Sequence, residues 1–307
     1  MSESSASSRR ALTWALRLIL GALIVGLLLL QRGTAQKLAQ SLSQTSPWVY
    51  LGAVAFYLGG QALCAWKWQL LLRARGFSVG FGRCLSIYLA GMFANLWLPT
   101  NIGGDALRVS LLGREGQIGT ADAFASVLLD RLTGFAALIL LAFLGLLSNG
   151  ALGGQGGLIV VSLMLLAGVT GVFFLLPRVA HPKVKRIGEA VSAYGAHRGT
   201  LGVAMVLSFV FQASQVALNF GLARALSLPI NLLEIAWIGP VLSLSGLLPL
   251  GIGGLGTREV AAVALLGRLG VERGQVVAWS LLWQATVWGS SLPGVFFLKG
   301  SRHARVE

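Results

Sequence analysis

Long apolar runs separated by short basic loops constrain this chain more than any other feature. A helix needs roughly 20 apolar residues to cross a bilayer. The runs of about this length are Leu12–Leu30, Trp48–Leu72, Ala121–Leu147, Leu158–Leu176, Leu201–Ala225 and Val276–Leu298. Charged residues make up only 11% of the chain, against roughly a quarter of a soluble domain. The sequence therefore predicts an all-α integral membrane protein.

Two further apolar runs, Cys84–Leu98 and Ile235–Leu248, lead directly into helix breakers. Each is followed by the same pattern: Pro, three residues, Gly-Gly, three residues and Arg. The copies span Pro99–Arg108 and Pro249–Arg258. Pro interrupts the helical hydrogen-bond ladder, and Gly adopts backbone conformations that other residues resist. We therefore expect both runs to break here. The short helical stretches that follow the breaks are Asp105–Leu112 and Thr257–Leu269.

The distribution of Lys and Arg indicates whether these interrupted runs cross the membrane. If each run returns to the side it entered, as re-entrant hairpins at 84–112 and 235–269, most loop cations lie on the side of the N-terminus. This is the arrangement that the positive-inside rule requires. If both runs crossed, the basic loop Arg178–Arg198 would lie outside. The re-entrant arrangement is favoured, with both termini in the cytoplasm.

The same arrangement makes the two halves of the chain inverted copies. Residues 1–150 and 151–307 would each contain three spanning helices and one re-entrant hairpin. Because three is odd, the second half would enter the membrane in the opposite orientation. Many transporters built from inverted repeats place broken helices around a substrate site near the midplane. We therefore expect the two hairpins to meet at membrane depth. The basic segment 177–197 between the halves fits either an interfacial helix on anionic lipid or an ordinary loop.

Arg108 and Arg258, which close the two motifs, are the strongest candidates for a binding site. A guanidinium inside a membrane is costly and is usually paired or functional. Its planar fork suits phosphate, and the neighbouring Gly-Gly pairs would leave backbone N–H groups for an anion. The structural alternative is that Arg108 pairs with Asp105 and Arg258 with Glu259. The glycines concerned are Gly103, Gly104, Gly253 and Gly254.

Asp130 and Arg131 are adjacent charges inside the run Ala121–Leu147. Neighbours on a helix point about 100° apart, so we expect one of the two to face the first hairpin. Arg131 would be a third phosphate contact, and Asp130 would hold either Arg131 or Arg108. A purely structural ion pair between helices is the alternative. Asn95, just before the first motif, would contact the substrate or hydrogen-bond between helices.

Several other polar side chains stand in apolar runs. Lys67 is a single charge towards one end of its run, which predicts that it snorkels to the interface, with Trp68 as an interfacial anchor. Gln212, Gln215 and Asn219 are spaced to share one helix face. Such a polar stripe would line a cavity for a headgroup or join helices as packing contacts.

No pattern typical of an enzyme is present in the sequence. The histidines lie in loops or in the tail, and they form no cluster with Cys64 or Cys84. No metal site, catalytic triad or nucleotide-binding loop is indicated. The basic residues sit mostly in loops between apolar runs, which is typical of membrane topology rather than of nucleic-acid binding. We therefore expect neither catalysis nor a cofactor.

Together these motifs resemble the lysylphosphatidylglycerol synthase transmembrane-region family. The matching residues are Asn95, Pro99, Gly103, Gly104, Asp105, Arg108, Asp130, Arg131, Pro249, Gly251, Ile252, Gly253, Gly254, Arg258 and Glu259. The resemblance covers most of the chain. In the bifunctional synthases of this family the membrane region is the lipid-flippase half, and a soluble domain transfers the aminoacyl group. The sequence lacks that soluble domain, so the resemblance implies lipid transport. Stand-alone members are associated with glycolipid, polyprenyl-lipid or hopanoid pathways.

The sequence and the resemblance lead to one main expectation and one alternative. The main expectation is an inner-membrane transporter or flippase for a lipid with an anionic or phosphate-bearing headgroup, of phospholipid, glycolipid or polyprenyl-phosphate type. The alternative is a membrane-embedded accessory subunit or transferase that presents a lipid carrier to a glycosyltransferase. In that case a glycosyltransferase or another lipid-biosynthesis protein would be its partner.

The proposed topology predicts that residues 177–198 face the cytoplasm. In a cysteine-free background, single cysteines introduced into this segment should resist a membrane-impermeant maleimide in intact cells and react after permeabilisation. Strong labelling from outside in intact cells would exclude the inverted-repeat arrangement.

Overall fold

The computed structural model of the protein describes residues 45–97, 102–114, 118–148, 182–245 and 257–300, together with isolated residues before position 45. All regular structure in these ranges is helical, which confirms the predicted all-α class. The helices are α1 (Pro47–Ala74), α2 (Phe81–Trp97), α3 (Ile102–Gly113), α4 (Thr120–Ser148), α5 (Pro182–Ser192), α6 (Arg198–Ala225), α7 (Leu232–Ser245), α8 (Thr257–Gly267), α9 (Arg273–Ser291) and α10 (Gly294–Gly300). The predicted spanning runs Leu12–Leu30 and Leu158–Leu176 lie outside the described residues.

Three of the described helices, α1, α4 and α6, are long and apolar enough to cross a membrane. They contain 28, 29 and 28 residues, and each coincides with a predicted spanning run. The basic segment between the halves is helical over α5, which a 3₁₀ turn at Ala193–Ala196 follows. Its contact with lipid stays a prediction.

The last predicted spanning run, Val276–Leu298, is not one continuous helix. The structure divides it into α9 and α10, with Pro293 between them. A Cβ atom at Gly294 would collide with the backbone carbonyl of Leu89 on α2. The break and the glycine together let α10 pack closely against α2, so the prediction of a single helix was wrong here.

The first Gly-Gly motif brings α2 and α3 into close contact. The backbone N–H of Gly104 donates a hydrogen bond to Oδ1 of Asn95 at 2.7 Å. A Cβ at Gly104 would overlap the backbone carbonyl of Gly91 and the side chain of Asn95. The second glycine of the motif is therefore needed for backbone approach. Its N–H is already bonded within the protein.

The helices on the two sides of the structure pack in matching pairs. The long helices α1 and α6 contact each other, and a Cβ at Gly60 on α1 would lie 3.1 Å from the ring of Phe211 on α6. In the first half α2 packs on α3, and in the second half α7 packs on α8. Across the halves, α4 contacts α7 and, correspondingly, α9 contacts α2. One large apolar cluster contains Trp68 and lies among α1–α4, and another contains Trp279 and joins α6–α9 to Ala53 of α1 and Leu146 of α4.

The Gly91–Gly104 contact predicts an asymmetry between two glycines of α3. Gly104→Ala forces a methyl group against the backbone of α2 and should lower the free energy of unfolding by about 1–3 kcal/mol. Gly113→Ala is the matched control, because nothing lies within 4 Å of a Cβ at that position. Thermal unfolding of the purified proteins in detergent gives the comparison, and equal stability of the two variants would contradict this packing.

Candidate functional site

A cavity with two lobes, of about 280 and 270 Å³, lies between helices from both halves of the chain. Ligand pockets in proteins usually begin at about 300 Å³, so the two lobes together are large enough for a lipid headgroup. The side chains shared by both lobes are Tyr57, Tyr88 and Arg131 from the first half and Phe211, Ser243 and Trp283 from the second.

The walls of the cavity combine aromatic rings with polar side chains. Tyr57 meets Trp283 edge to face, with ring centroids 5.8 Å apart. The polar residues that line only the first lobe are Gln61, Asn95, Arg258, Gln284 and Ser291. Those that line only the second lobe include Lys67, Asp130, Ser208, Gln212 and Gln215. A headgroup in this cavity would meet hydrogen-bonding groups on several sides, with guanidinium groups from both halves.

Three cations and two carboxylates form a connected cluster across α1, α3 and α4. Arg131 Nε and Nη2 bind the two oxygens of Asp105 at 2.7 and 2.8 Å. Arg108 binds Asp130 at 2.9 Å and Asp105 at 3.3 Å. Lys67 binds the second oxygen of Asp130 at 2.9 Å. The cluster therefore carries one net positive charge in the interior of the helix bundle.

Arg108 lies inside this cluster and lines neither lobe of the cavity. It is 2% exposed. Its guanidinium lies 4.3 Å from the ring centroid of Trp68 and 4.3 Å from that of Tyr88. The pairing with Asp105 that the sequence allowed as a structural alternative is present. Arg108 therefore lies behind the cavity wall, and its contact with a headgroup stays a prediction.

Arg131 is the guanidinium of the cluster that lines the cavity, whose second lobe Lys67 also lines. The side chain of Arg131 is 38% exposed, and it lines both lobes. Asp130, the preceding residue, binds Arg108 and Lys67 and lines only the second lobe. The two adjacent charges have different partners, but both bind α3 of the first hairpin, whereas their helical offset led us to expect one of the two to face it.

Arg258 supplies the second cation, from the opposite half of the chain. It lines the first lobe and is 4% exposed. Its Nη2 donates to Oδ1 of Asn219 at 3.2 Å, and its guanidinium lies 5.0 Å from the ring centroid of Trp283. The neighbouring Glu259 is buried and accepts a hydrogen bond from Ser280 at 3.0 Å. Arg258 therefore contacts an amide and aromatic rings, with the buried carboxylate of Glu259 next to it in the chain.

The remaining predicted site residues have varied positions. Asn95 lines the first lobe and also holds Gly104. Gly103 lies in the first turn of α3, where Asp105 is the acidic residue. Gly253 and Gly254 lie outside the described residues. The proposed anion contact with free N–H groups is therefore not seen at Gly104.

Lys67 is a residue whose role the sequence interpretation missed. Lys67 is 3% exposed and Trp68 is fully buried. The predictions that Lys67 snorkels to the membrane interface and that Trp68 is an interfacial anchor were therefore wrong. Besides Asp130, Lys67 Nζ donates to Oγ of Ser208 at 2.9 Å and to Oγ1 of Thr133 at 3.3 Å. The sequence signal that could have indicated burial was the position of Lys67, which lies two helical turns before the last residue of α1.

The three side chains of the predicted polar stripe on α6 have two different surroundings. Gln212 and Gln215 line the second lobe, whereas Asn219 holds Arg258. Within the described residues no group of His, Cys, Asp and Glu side chains could hold a metal ion.

Comparison with known proteins gives one family. Residues 14–294 match the family model described as the lysylphosphatidylglycerol synthase TM region. Among curated proteins, none matches the chain.

The burial of Lys67 leads to a stability prediction. Lys67→Met removes one of two cations from Asp130 and should lower the free energy of unfolding by about 3 kcal/mol, the low end for a broken buried pair, because Arg108 remains. Arg73→Met on the exposed side of the same helix is the control and should change stability by less than about 0.5 kcal/mol. Thermal unfolding in detergent measures both. Equal effects would mean that the buried contacts of Lys67 add nothing to stability.

Proposed function

This chain belongs to the lysylphosphatidylglycerol synthase TM-region family, and from that premise we propose that it moves a lipid with an anionic, phosphate-bearing headgroup across the membrane. The observation that carries the proposal is the cavity between the two halves, where Arg131 from one half and Arg258 from the other both line the first lobe. Cations at membrane depth that face a cavity are typical of substrate pathways.

The chemistry of the lining fits a phosphate-bearing headgroup. Guanidinium groups bind phosphate oxygens through charge-assisted hydrogen bonds and match their geometry. The amides and hydroxyls around them would bind the remaining polar atoms of the headgroup. Trp288 lines the first lobe while 44% of it is exposed. This side chain would mark an opening of the cavity towards the bilayer, through which the headgroup enters while the acyl or prenyl tails stay in the lipid.

The helix pattern supports the inverted-repeat arrangement that such a transporter requires. Each side has a 28-residue helix, α1 or α6, followed by two short helices and a further helix. The short helices α2, α3, α7 and α8 contain 17, 12, 14 and 11 residues, fewer than the roughly 20 that crossing needs. We propose that they form two re-entrant hairpins in halves 1–150 and 151–307.

The proposal includes no covalent step, so the protein acts as a transporter and not as an enzyme, and it needs no cofactor. We place it in the inner membrane with both termini in the cytoplasm. Transport would be downhill or coupled to an ion gradient or the membrane potential. Of the headgroup contacts that the sequence assigned to Arg108, Arg131 and Arg258, we keep those of Arg131 and Arg258, and we propose that Arg108 is a positioning residue.

The proposal predicts that Arg131 and Arg258 act on one ligand. Arg131→Ala and Arg258→Ala should each weaken binding of phosphatidate about ten- to a hundredfold, because each removes a charge-assisted contact. Arg-to-Lys variants should recover part of the loss, since Lys lacks the planar fork. The measurements are lipid binding in detergent and lipid scrambling in proteoliposomes, both normalised to folded protein.

The matched control is Arg268→Ala, which removes an exposed cation just after α8. The Arg268→Ala protein should bind phosphatidate and scramble lipid as the unchanged protein does. Folded Arg131→Ala and Arg258→Ala proteins with unchanged binding and transport would refute the headgroup site. Binding without scrambling in the unchanged protein would favour the alternative of a subunit that presents a lipid carrier.

A further inference from the structure

The carboxylate of Asp105 binds a bidentate edge of Arg131, the edge formed by Nε and Nη2. We infer that Asp105 competes with the anionic group of the ligand for Arg131, and that the site therefore selects phosphomonoester or pyrophosphate lipids over phosphodiester lipids. This inference rests on the proposed function, and it narrows the substrate class of the same cavity.

The competition follows from the geometry of the guanidinium. Nε and Nη2 of Arg131 form one edge of the fork, and both bind Asp105, at 2.7 and 2.8 Å. A two-oxygen group that binds this edge bidentately must replace the carboxylate. Because 38% of the Arg131 side chain is exposed and the residue lines both lobes, a headgroup in the cavity reaches the same guanidinium.

Asp105 can leave Arg131 without becoming an unpaired buried charge. It also lies 3.3 Å from Nη1 of Arg108, so a second cation stays beside it. Asp130 does not become a new partner of Arg131, because Lys67 and Arg108 already bind its two oxygens. The freed guanidinium edge of Arg131 would therefore pass to the ligand, and the rest of the cluster would keep its contacts.

The charge of the ligand decides the outcome of this exchange. Asp105 is tethered beside Arg131 and so competes at a high effective concentration. A phosphodiester carries one negative charge, as Asp105 does, and gains little by replacing it. A phosphomonoester carries a charge of about −1.5 to −2 at pH 7 and offers three acceptor oxygens. The cluster carries one net positive charge, and Arg258 lies across the cavity with the buried carboxylate of Glu259 next to it in the chain. The net positive charge of the cluster therefore favours the more highly charged group.

The first test needs no substitution and uses two lipids that differ by one methyl ester. Phosphatidate and phosphatidylmethanol with the same acyl chains are titrated against the detergent-purified full chain at pH 7.5, with phosphatidylcholine as the reference without net charge. We expect phosphatidate to bind about tenfold more tightly than phosphatidylmethanol. Equal affinity of the two anionic lipids would overturn the inference and leave the proposed function standing. If neither anionic lipid binds better than phosphatidylcholine, the proposed function itself fails.

The second test removes the competitor. Asp105→Asn should raise the affinity for phosphatidylmethanol about tenfold and narrow the preference for phosphatidate. A purely structural role for Asp105 predicts the opposite result. Loss of the carboxylate would then leave Arg131 poorly positioned and weaken the binding of both lipids. Asp122→Asn is the matched control: it removes an α4 carboxylate that pairs with Arg75 at 3.0 Å outside the cavity lining, and it should leave the preference unchanged. A folded Asp105→Asn protein with unchanged or weaker phosphatidylmethanol binding would overturn the inference.

Discussion

The buried ion cluster between α1, α3 and α4 is the interaction on which the first half of the structure depends. A charge in the interior of a membrane protein is costly unless an opposite charge or a hydrogen bond meets it. Asp130 satisfies this condition for Lys67 and Arg108 together, and Asp105 does so for Arg131. Removing Asp130 would therefore affect the contacts of α4 with both α1 and α3. The cluster holds the short helix α3 against α4 and presents Arg131 to the cavity.

Close backbone contact between α2 and α3 is the second constraint, and like the ion cluster it positions α3. Gly104 lets α3 approach α2 until the two backbones touch, and Asn95 binds its N–H. This approach places Arg108 on α3 close to the ring of Tyr88 on α2, and the ring of Trp68 on α1 lies at the same distance of 4.3 Å from its guanidinium. A larger residue at position 104 would separate α2 from α3 and disturb the contact of this cation with Tyr88. Packing and charge pairing at this hairpin are therefore coupled.

The two motif arginines have the same spacing in sequence but different surroundings. Arg108 meets Asp130 from the following long helix α4, and it lies behind the cavity wall. Arg258 meets an amide on α6 and the ring of Trp283 on α9, and it lines the cavity. The difference comes from the helices that pack against each motif. The first half contributes its exposed cation through Arg131, so each half still supplies one arginine to the cavity.

The apolar runs by themselves determined the all-α class and the approximate extents of α1, α4 and α6, because hydrophobic length and helix breakers act locally along the chain. They also identified the cations worth attention, since charge in an apolar run is rare for a physical reason. Only the tertiary structure decided which of these cations line the cavity. Lys67 and Asp130 are 63 residues apart, and their contact depends on how α1 and α4 are rotated and packed. Arg108 lies behind the cavity wall and Arg131 lines it because of the way α3 packs against α4, which the spacing of residues along the chain does not determine.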